Sequence, residues 1–281
     1  MTTDDSDQML YPIGENDSQT RRLITQAQLY NPFTRAFFQA AGISRGMKVL
    51  ELGSGVGDVS LVLAELVGPS GRVVCVELKA AAVETARARL AAIGWRNVEY
   101  RTGAIETVEL ERDFDAVVGR FVLMWLPDPL AVLERVVKHV RPGGVVAFQD
   151  NDFTFSIVAS AALPVFDRLG AWMKETQAQG GADFHLGLKL PQLYQRAGLP
   201  APQLSLDAPI GTGPGWTGYQ YLAETVAMLE PPMRQRGLAL PAGIDLSTLA
   251  EQIRREALEN NAVIVLPALI GAWSIKPAGQ F

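Results

Sequence analysis

The sequence predicts an α/β domain built on a mostly parallel β-sheet with helices on both faces. Between residues 47 and 150, short runs rich in β-branched residues alternate with longer helical stretches. Runs such as KVLEL and RVVCVEL are almost continuously apolar, which is typical of strands buried on both faces of a parallel sheet. Asp128 and Pro129 suit the start of a helix, and Gly94 and Gly143 lie where helices should end.

The regions flanking this core are expected to be mainly helical. Residues 16–42 are predicted to form two helices, the second beginning at Asn31 and Pro32 and ending near Gly42. We expect residues 1–45 to form an N-terminal helical cap, and residues 46–281 to form the main domain with a helical insertion at about 155–262.

Within the second half of the chain, helical periodicity is weaker but still recognisable. Helices are expected in four segments, namely 163–179, 188–198, 217–230 and 245–259. The run PQLSLDAPIG favours a strand, and the final apolar run VIVLPALIGAWSIKP is expected to return to the sheet as an edge strand.

Composition excludes several classes of function. The chain has 281 residues, 48% of them hydrophobic, and a net charge of −5 without a run of Lys or Arg, which argues against nucleic-acid or anionic-membrane surfaces. The single cysteine, Cys75, and two histidines predict neither an internal disulfide nor a metal site. The N-terminus MTTDDSDQ is acidic rather than basic and apolar, and the longest late apolar run contains Pro267, so a cytoplasmic protein is expected.

The stretch VLELGSGVGD at residues 49–58 predicts a ligand site at the end of the first strand. Open α/β sheets bind ligands beyond the carboxyl ends of their strands, where glycines allow close approach to the main chain. A dinucleotide fingerprint counted from Gly53 and Gly55 would place its third glycine at Asp58. A carboxylate there would repel a pyrophosphate at the helix N-terminus, so a nicotinamide cofactor is disfavoured.

The E-x-G-x-G-x-G arrangement from Glu51 to Gly57 instead resembles the first motif of class I S-adenosylmethionine-dependent methyltransferases. Glu77 stands 22 residues after Gly55, where these enzymes place an acid that accepts both ribose hydroxyls. The runs FDAVVGRFVLMWLPDP and VVKHVRPGGVVAFQD resemble their fourth strand and the turn into their fifth. YPIGENDSQTRRLITQAQLYNPFTRAFFQAAGI and GAWSIKP look like a bacterial small-molecule group related to the ubiquinone/menaquinone-biosynthesis type, in which N-terminal helices close over the cofactor.

This resemblance implies a Rossmann-like class I methyltransferase fold with a seven-stranded sheet, S-adenosyl-L-methionine as cofactor and S-adenosyl-L-homocysteine as product. Ala104 replaces the acid that usually receives the adenine amino group, so backbone groups of Ala104 and Ile105 are expected to hold adenine, with Glu106 as the alternative. Arg120 is expected to pair with the cofactor's carboxylate, and Gln28 is an alternative for the same end. The expected cofactor-binding residues are Glu51, Gly53, Ser54, Gly55, Glu77, Leu78, Gly103, Ala104, Ile105, Arg120, Tyr11 and Gln28.

Candidates for catalysis and acceptor binding are fewer. His185, in the loop GGADFHLGL, and Tyr11, in the cap, are candidate bases for an acceptor that must lose a proton. A lone histidine such as His185 is more often a surface or packing residue, and this is the alternative interpretation. The expected substrate-binding residues are Asn151, Asp152 and Phe153 after the fifth strand and Trp216 in the glycine-rich loop GTGPGW. Aromatic lining favours a small apolar or aromatic acceptor, methylated on O, N or C, in secondary metabolism.

Two other classes stay open at this point. A nicotinamide-dependent oxidoreductase would also use Glu77, and a non-catalytic protein could bind S-adenosylmethionine without transferring its methyl group. Nucleic acid as substrate is disfavoured, because GRFVLM stands where an N-P-P-Y-like stretch would be needed and the chain has no Pro-Cys nucleophile. The expected partner is a small-molecule substrate, with neither nucleic acid nor membrane, and a homo-oligomer is compatible with this interpretation.

Overall fold

A computed structural model of the chain describes residues 17–155, 158–179 and 181–279. The strands in these ranges are β1 (Lys48–Leu52), β2 (Arg72–Glu77), β3 (Val98–Thr102), β4 (Phe114–Arg120), β5 (Val140–Asp152), β6 (Val158–Ala159), β7 (Gln203–Asp207), β8 (Ile210–Gly211), β9 (Ile264–Val265) and β10 (Ala268–Ile275). Seven of them form one sheet in the order β3-β2-β1-β4-β5-β10-β7. The pairs from β3 to β5 are parallel, whereas β10 is antiparallel to both its neighbours.

Helices cover both faces of this sheet, which confirms the predicted fold class. The helices in the described ranges are α1 (Asp17–Ala40), α2 (Asp58–Val67), α3 (Ala80–Ala92), α4 (Pro129–Val137), α5 (Pro164–Gln179), α6 (Leu190–Arg196), α7 (Gly218–Gln235) and α8 (Leu249–Glu259). Among them, no helix has the length and apolarity needed to cross a bilayer.

The strands divide their side chains between two apolar layers. Leu50 and Leu52 of β1 pack into the layer that includes residues of α4 to α8. Val49 points the other way, into the layer formed with α1, α2 and α3. The alternation follows from the two-residue period of a strand. The carboxyl ends of β1, β2 and β4 lie side by side because these strands are parallel neighbours.

Three sequence predictions in this region are wrong in detail. Residues 17–40 form one helix that contains Pro32, because Asn31 does not cap a second helix: its side chain donates to Asp58 O and accepts from Arg120. Strand β10 lies inside the sheet, because β7 pairs along its outer side. Gly143 does not end a helix, since α4 stops at Val137 and Gly143 lies in an irregular register at the start of β5.

A second sheet of three short strands, β6-β9-β8, was not predicted. Each of its strands has two residues, which is too short to leave a recognisable alternation in the sequence. The sheet brings the segment after β5, the loop before α7 and the segment after α8 together.

Glu51 lies in the interior between β1 and α2, with 1% of its surface exposed. Its Oε2 accepts a hydrogen bond from Ser60 Oγ at 2.6 Å and another from Cys75 Sγ at 3.1 Å. Burial raises the pKa of Glu51 to about 7, and the two hydrogen bonds oppose that rise. The only cysteine of the sequence is therefore a buried partner of this acid.

Gly57, just before α2, has a positive φ of 88° and touches the neighbouring helix. A Cβ at this position would lie 3.0 Å from Ala86 Cβ and 3.0 Å from Leu90 Cδ1 of α3. The third glycine of the motif therefore serves close helix packing. Asp58, the first residue of α2, pairs with Arg89 at 2.7 Å.

We predict that Gly57→Ala lowers the free energy of unfolding by about 2–4 kcal/mol, because left-handed backbone strain and overpacking against α3 add together. Gly94→Ala is the matched control, since Gly94 also has φ 88° but no atom within 4 Å of the added Cβ. That variant should lose only the backbone contribution of about 1–2 kcal/mol. Urea denaturation measures both values, and equal losses would contradict the packing role of Gly57.

A second prediction concerns Glu51 and pH. Because its folded pKa of about 7 lies above the ordinary value of 4.5, the wild-type protein should lose stability as the pH rises through this window. Glu51→Gln removes that dependence, so its stability relative to wild type should grow by about 3 kcal/mol across the window. Urea denaturation of the cofactor-free protein at a series of pH values checks this. Glu84→Gln, at an exposed acid, should show no such growth, and a flat difference for Glu51→Gln would refute the assignment.

Candidate active site

The chain turns sharply after β1 and holds this turn against the end of β2. The backbone N–H groups of Gly53 and Ser54 both donate to Val76 O, at 2.9 and 3.3 Å. Gly53 has φ 65°, and a Cβ there would lie 2.6 Å from Val122 Cγ2. Only glycine fits this position, as the motif predicted.

Glu77, at the end of β2, is directly joined to the turn. Its Oε2 accepts the Gly55 N–H at 2.9 Å, and its Oε1 accepts the Lys79 N–H at 3.0 Å. Each oxygen of an ionised carboxylate has a second acceptor position. Glu77 can therefore hold the turn in place and still accept two hydroxyl donors from a ligand.

A cavity opens beside Glu77 at the strand ends, and we call it the sheet cavity. Leu78 forms one wall with 60% of its surface exposed, although a large apolar side chain is usually buried. The sheet cavity is lined by Gly53, Glu77, Leu78, Ala104, Ile105, Glu106, Val122, Trp125 and Leu126. Five predicted cofactor residues are thus brought together, whereas Gly103 supports the site by donating its N–H to Glu77 O.

A second cavity, the insertion cavity, adjoins the first at Trp125, which lines both. Three helices supply residues at helical spacing: positions 22, 23 and 26 of α1, 173, 176 and 177 of α5, and 221, 225, 228 and 229 of α7. The remaining lining residues come from the ends of β4 and β5 and the loop before α6, and they are Phe121, Met124, Trp125, Asn151, Phe153 and Phe184. Apolar and aromatic side chains dominate this space.

Two of the four predicted substrate residues line the insertion cavity. Asn151 is one, and its Oδ1 is buried without a hydrogen-bond partner among the described residues; Phe153 is the other. Asp152 is fully buried instead, and its oxygens accept the N–H groups of Thr154 and Leu188. Its alternation along β5 turns it away from the side that Asn151 faces.

Trp216 does not line either cavity. Its ring lies over Gly211 and Gly218, and it meets Tyr219 edge to face with ring centroids 5.1 Å apart. It borders a separate surface groove that also contains Arg254. The glycines around it accommodate the indole ring, and contact between Trp216 and the substrate stays a prediction.

The predicted base His185 lies outside the insertion cavity, with half of its side chain exposed. Its Nδ1 is 3.2 Å from Thr154 Oγ1 and 3.6 Å from Asp152 Oδ1. The preceding residue, Phe184, is the one that faces the cavity. Tyr11, the other candidate, lies outside the described residues, and its roles stay predictions.

Gln28 is exposed on α1 and lines neither cavity, whereas Gln26 lines the insertion cavity and donates to Tyr221 Oη at 3.1 Å. Two residues along a helix are about 200° apart around its axis, so these glutamines face opposite sides. The predicted contact of Gln28 with the cofactor is not tested by this placement, and Gln26 is the glutamine of α1 that lines the cavity.

Three other predicted cofactor residues lie close to the turn but outside the lining of both cavities. Glu51 is buried beneath it, and Ser54 is buried with its Oγ unpartnered among the described residues. Arg120 is also buried, and its Nη1 donates to Asn31 Oδ1 at 2.9 Å and Thr34 Oγ1 at 2.8 Å. Burial lowers the pKa of Arg120. Direct cofactor contacts of these side chains stay predictions.

The sequence interpretation missed Arg22 in the insertion cavity. This arginine is nine-tenths buried, and its Nε has no hydrogen-bond partner in the described part of the chain. The signal that could have indicated it is the run RRLITQ, which places Arg22 and Gln26 four residues apart on one face of α1.

Comparisons with known proteins agree with this geometry. Residues 43–198 match the family described as a methyltransferase domain. The demethylmenaquinone methyltransferase of Lactococcus lactis is 30% identical over 168 residues, which cover 56% of this chain and 67% of that enzyme. The arsenite methyltransferase of Aquipseudomonas alcaligenes is 38% identical over 119 residues, covering 40% of this chain and only 34% of that enzyme.

Among solved structures, a SAM-dependent methyltransferase from Aquifex aeolicus superimposes with a TM-score of 0.51 at 18% identity, over 69% of this chain and 91% of that chain. This likeness concerns the fold. Together with the family match over more than half of the sequence, it agrees with the glycine turn and Glu77 at the strand ends. The chain belongs to the methyltransferase-domain family, and it is a class I S-adenosylmethionine-dependent methyltransferase.

Proposed function

We propose that the protein transfers a methyl group from S-adenosylmethionine to a small, apolar or aromatic organic acceptor bound in the insertion cavity. The observation that carries this proposal is the adjacency of two cavities of different character. One lies at the glycine turn and Glu77, the other is walled by aromatic and methionine side chains, and Trp125 borders both. A role in secondary metabolism fits such an acceptor and belongs to the same proposal.

In this proposal the sheet cavity holds the nucleoside. The remaining acceptor positions of Glu77 suit two ribose hydroxyls, and Leu78 and Ile105 offer apolar surfaces to adenine. Without an acid at Ala104, adenine is recognised through backbone groups or through Glu106, which also lines this cavity. When bound, the cofactor supplies a methyl group already activated by its sulfonium centre.

The chain's contribution to chemistry is mainly orientation and the exclusion of water. Holding two reacting groups in alignment can account for about 7–11 kcal/mol of a barrier. No carboxylate or imidazole of the described residues lines the insertion cavity. This favours an acceptor that needs little help from a protein base, such as an acidic phenol or enol, or an electron-rich carbon.

Arsenite, the substrate named for one relative, is a poor fit to this chain. Trivalent arsenic is a soft, thiophilic centre that binds thiolates, as soft metal ions do. The sequence contains one cysteine, and Cys75 is fully buried against Glu51. Quinol-like acceptors, suggested by the name of the lactococcal relative, fit the apolar lining better.

We predict that Glu77→Ala weakens binding of S-adenosylhomocysteine at least about 100-fold, because two charge-assisted hydrogen bonds are lost. Isothermal titration calorimetry gives the dissociation constant. Glu84→Ala, at an exposed acid of α3, is the control and should bind like wild type. Unchanged affinity in a folded Glu77→Ala protein would overturn the placement of the nucleoside.

A further prediction addresses the acceptor. Met228 lines the insertion cavity on α7, so Met228→Trp should fill this space and lower kcat/KM for an acceptor more than about tenfold by steric exclusion. Affinity for S-adenosylhomocysteine should stay within about twofold. Met228→Leu keeps the volume and should retain activity.

The measurement is transfer of labelled methyl from S-adenosylmethionine to a panel of quinols, phenols and indoles. Loss of cofactor affinity together with acceptor turnover in Met228→Trp would argue against two separate cavities. Absence of transfer to any acceptor, with tight cofactor binding retained, would favour a non-catalytic S-adenosylmethionine-binding protein.

A further inference from the structure

We propose that Arg22, assisted by Gln26, binds the amino-acid end of S-adenosylmethionine, with the guanidinium paired to its carboxylate. The proposal rests on the cofactor and on the proposed function. It assigns to one face of α1 a role that the sequence analysis gave to Arg120 and Gln28.

Arg22 is a buried cation that has no counter-ion among the residues the structure describes. Only 9% of its surface is exposed, and its buried Nε has no acceptor within the described ranges. No acidic side chain of those ranges is among its neighbours in the insertion cavity. Burying a guanidinium without a partner is costly, so the site is completed by an anion, and Arg is suited to bidentate pairing with a carboxylate.

Helix α1 places Arg22 next to the glycine turn. Its neighbour Leu23 packs against Val56 of the turn and Ala82 of α3. Further along the helix, Asn31 donates to Asp58 O at the start of α2. Helix α1 therefore runs past the turn, and Arg22, which lines the insertion cavity, directly precedes the residue that packs against the turn.

Gln26 lies one helical turn after Arg22 in the same cavity. Its Nε2 donates to Tyr221 Oη at 3.1 Å, which fixes the amide and leaves its carbonyl oxygen as an acceptor. An amino acid presents one carboxylate and one ammonium group. Arg22 and Gln26 together offer the complementary cation and acceptor.

Arg120 is less suited to the same task because it already connects two elements. Its Nη1 donates to both Asn31 and Thr34 of α1, and its guanidinium lies 5.6 Å from the centre of the Phe121 ring. Its positive charge also faces Glu51 and Asp58. The contacts give Arg120 a positioning role, because they hold α1, and with it Arg22, at the end of β4.

The competing interpretation is that Arg22 binds an anionic group of the acceptor. Two ligands separate the two interpretations: S-adenosylhomocysteine carries the amino acid, and 5′-methylthioadenosine carries the same nucleoside and a thioether without it. We expect Arg22→Leu to weaken S-adenosylhomocysteine binding about 10- to 100-fold, the usual loss for a charge-assisted hydrogen bond. Its affinity for 5′-methylthioadenosine should stay within about twofold, both measured by titration calorimetry.

Arg21→Leu is the matched control, since Arg21 precedes Arg22 on the same helix and is exposed. It makes the same change of charge and should bind both ligands like wild type. Arg22→Lys keeps the charge but not the planar fork, and it should lose S-adenosylhomocysteine affinity by a smaller factor. This variant carries the test if Arg22→Leu does not fold.

Two outcomes would overturn the proposal. If S-adenosylhomocysteine binds the Arg22 variants as tightly as wild type, the cofactor's carboxylate is held elsewhere and an anionic acceptor becomes the better partner. If both ligands weaken equally, Arg22 only shapes the site. Neither result touches the proposed function, which depends on nucleoside binding at Glu77 and on methyl transfer.

Discussion

The arrangement of the site depends on one contact, the carboxylate of Glu77 accepting the N–H groups of Gly55 and Lys79. It ties the end of β2 to the turn after β1 and so holds this side of the sheet cavity in one shape. A carboxylate suits this position because it accepts from the turn and keeps further acceptor positions for the proposed ligand. The turn also requires glycine at position 53, because Gly53 approaches Val122 too closely for any side chain.

Helix α1 completes the site that the sheet begins. Through Arg120 it is fixed to β4, through Asn31 to α2 and through Leu23 to the glycine turn. Arg120 is buried and donates to the neutral oxygens of Asn31 and Thr34. The nearby negative charges of Asp58 and Glu51 stabilise its positive charge. The helix can therefore present its polar face to the cavity while its apolar face packs on the sheet.

The features predicted correctly from the sequence are those encoded locally. Strands β1 and β2 show nearly continuous apolar runs, and the glycines and Glu77 have a recognisable spacing, so the sheet and the grouping of these residues at its edge were predictable. Features set by tertiary contacts were not. Successive side chains of a helix are rotated by about 100° around its axis. The packing of α1 in the folded protein decides that Gln26 lines the insertion cavity and that Gln28 is exposed. The packing of the Trp216 ring could not be predicted either, because the glycines beneath it come from two different elements, β8 and α7.

The range of residues that matches the family explains why family membership does not identify the methyl acceptor. The family match ends at residue 198 and begins at residue 43, whereas two of the three helices that line the insertion cavity, α1 and α7, lie wholly outside that range. The matched segment contains the turn, Glu77 and the ends of strands β1, β2 and β4. Most of the insertion cavity is lined by residues of α1 and α7 and the end of α5, so neither the match over residues 43–198 nor the similarity to relatives named for demethylmenaquinone and arsenite identifies the acceptor of this chain.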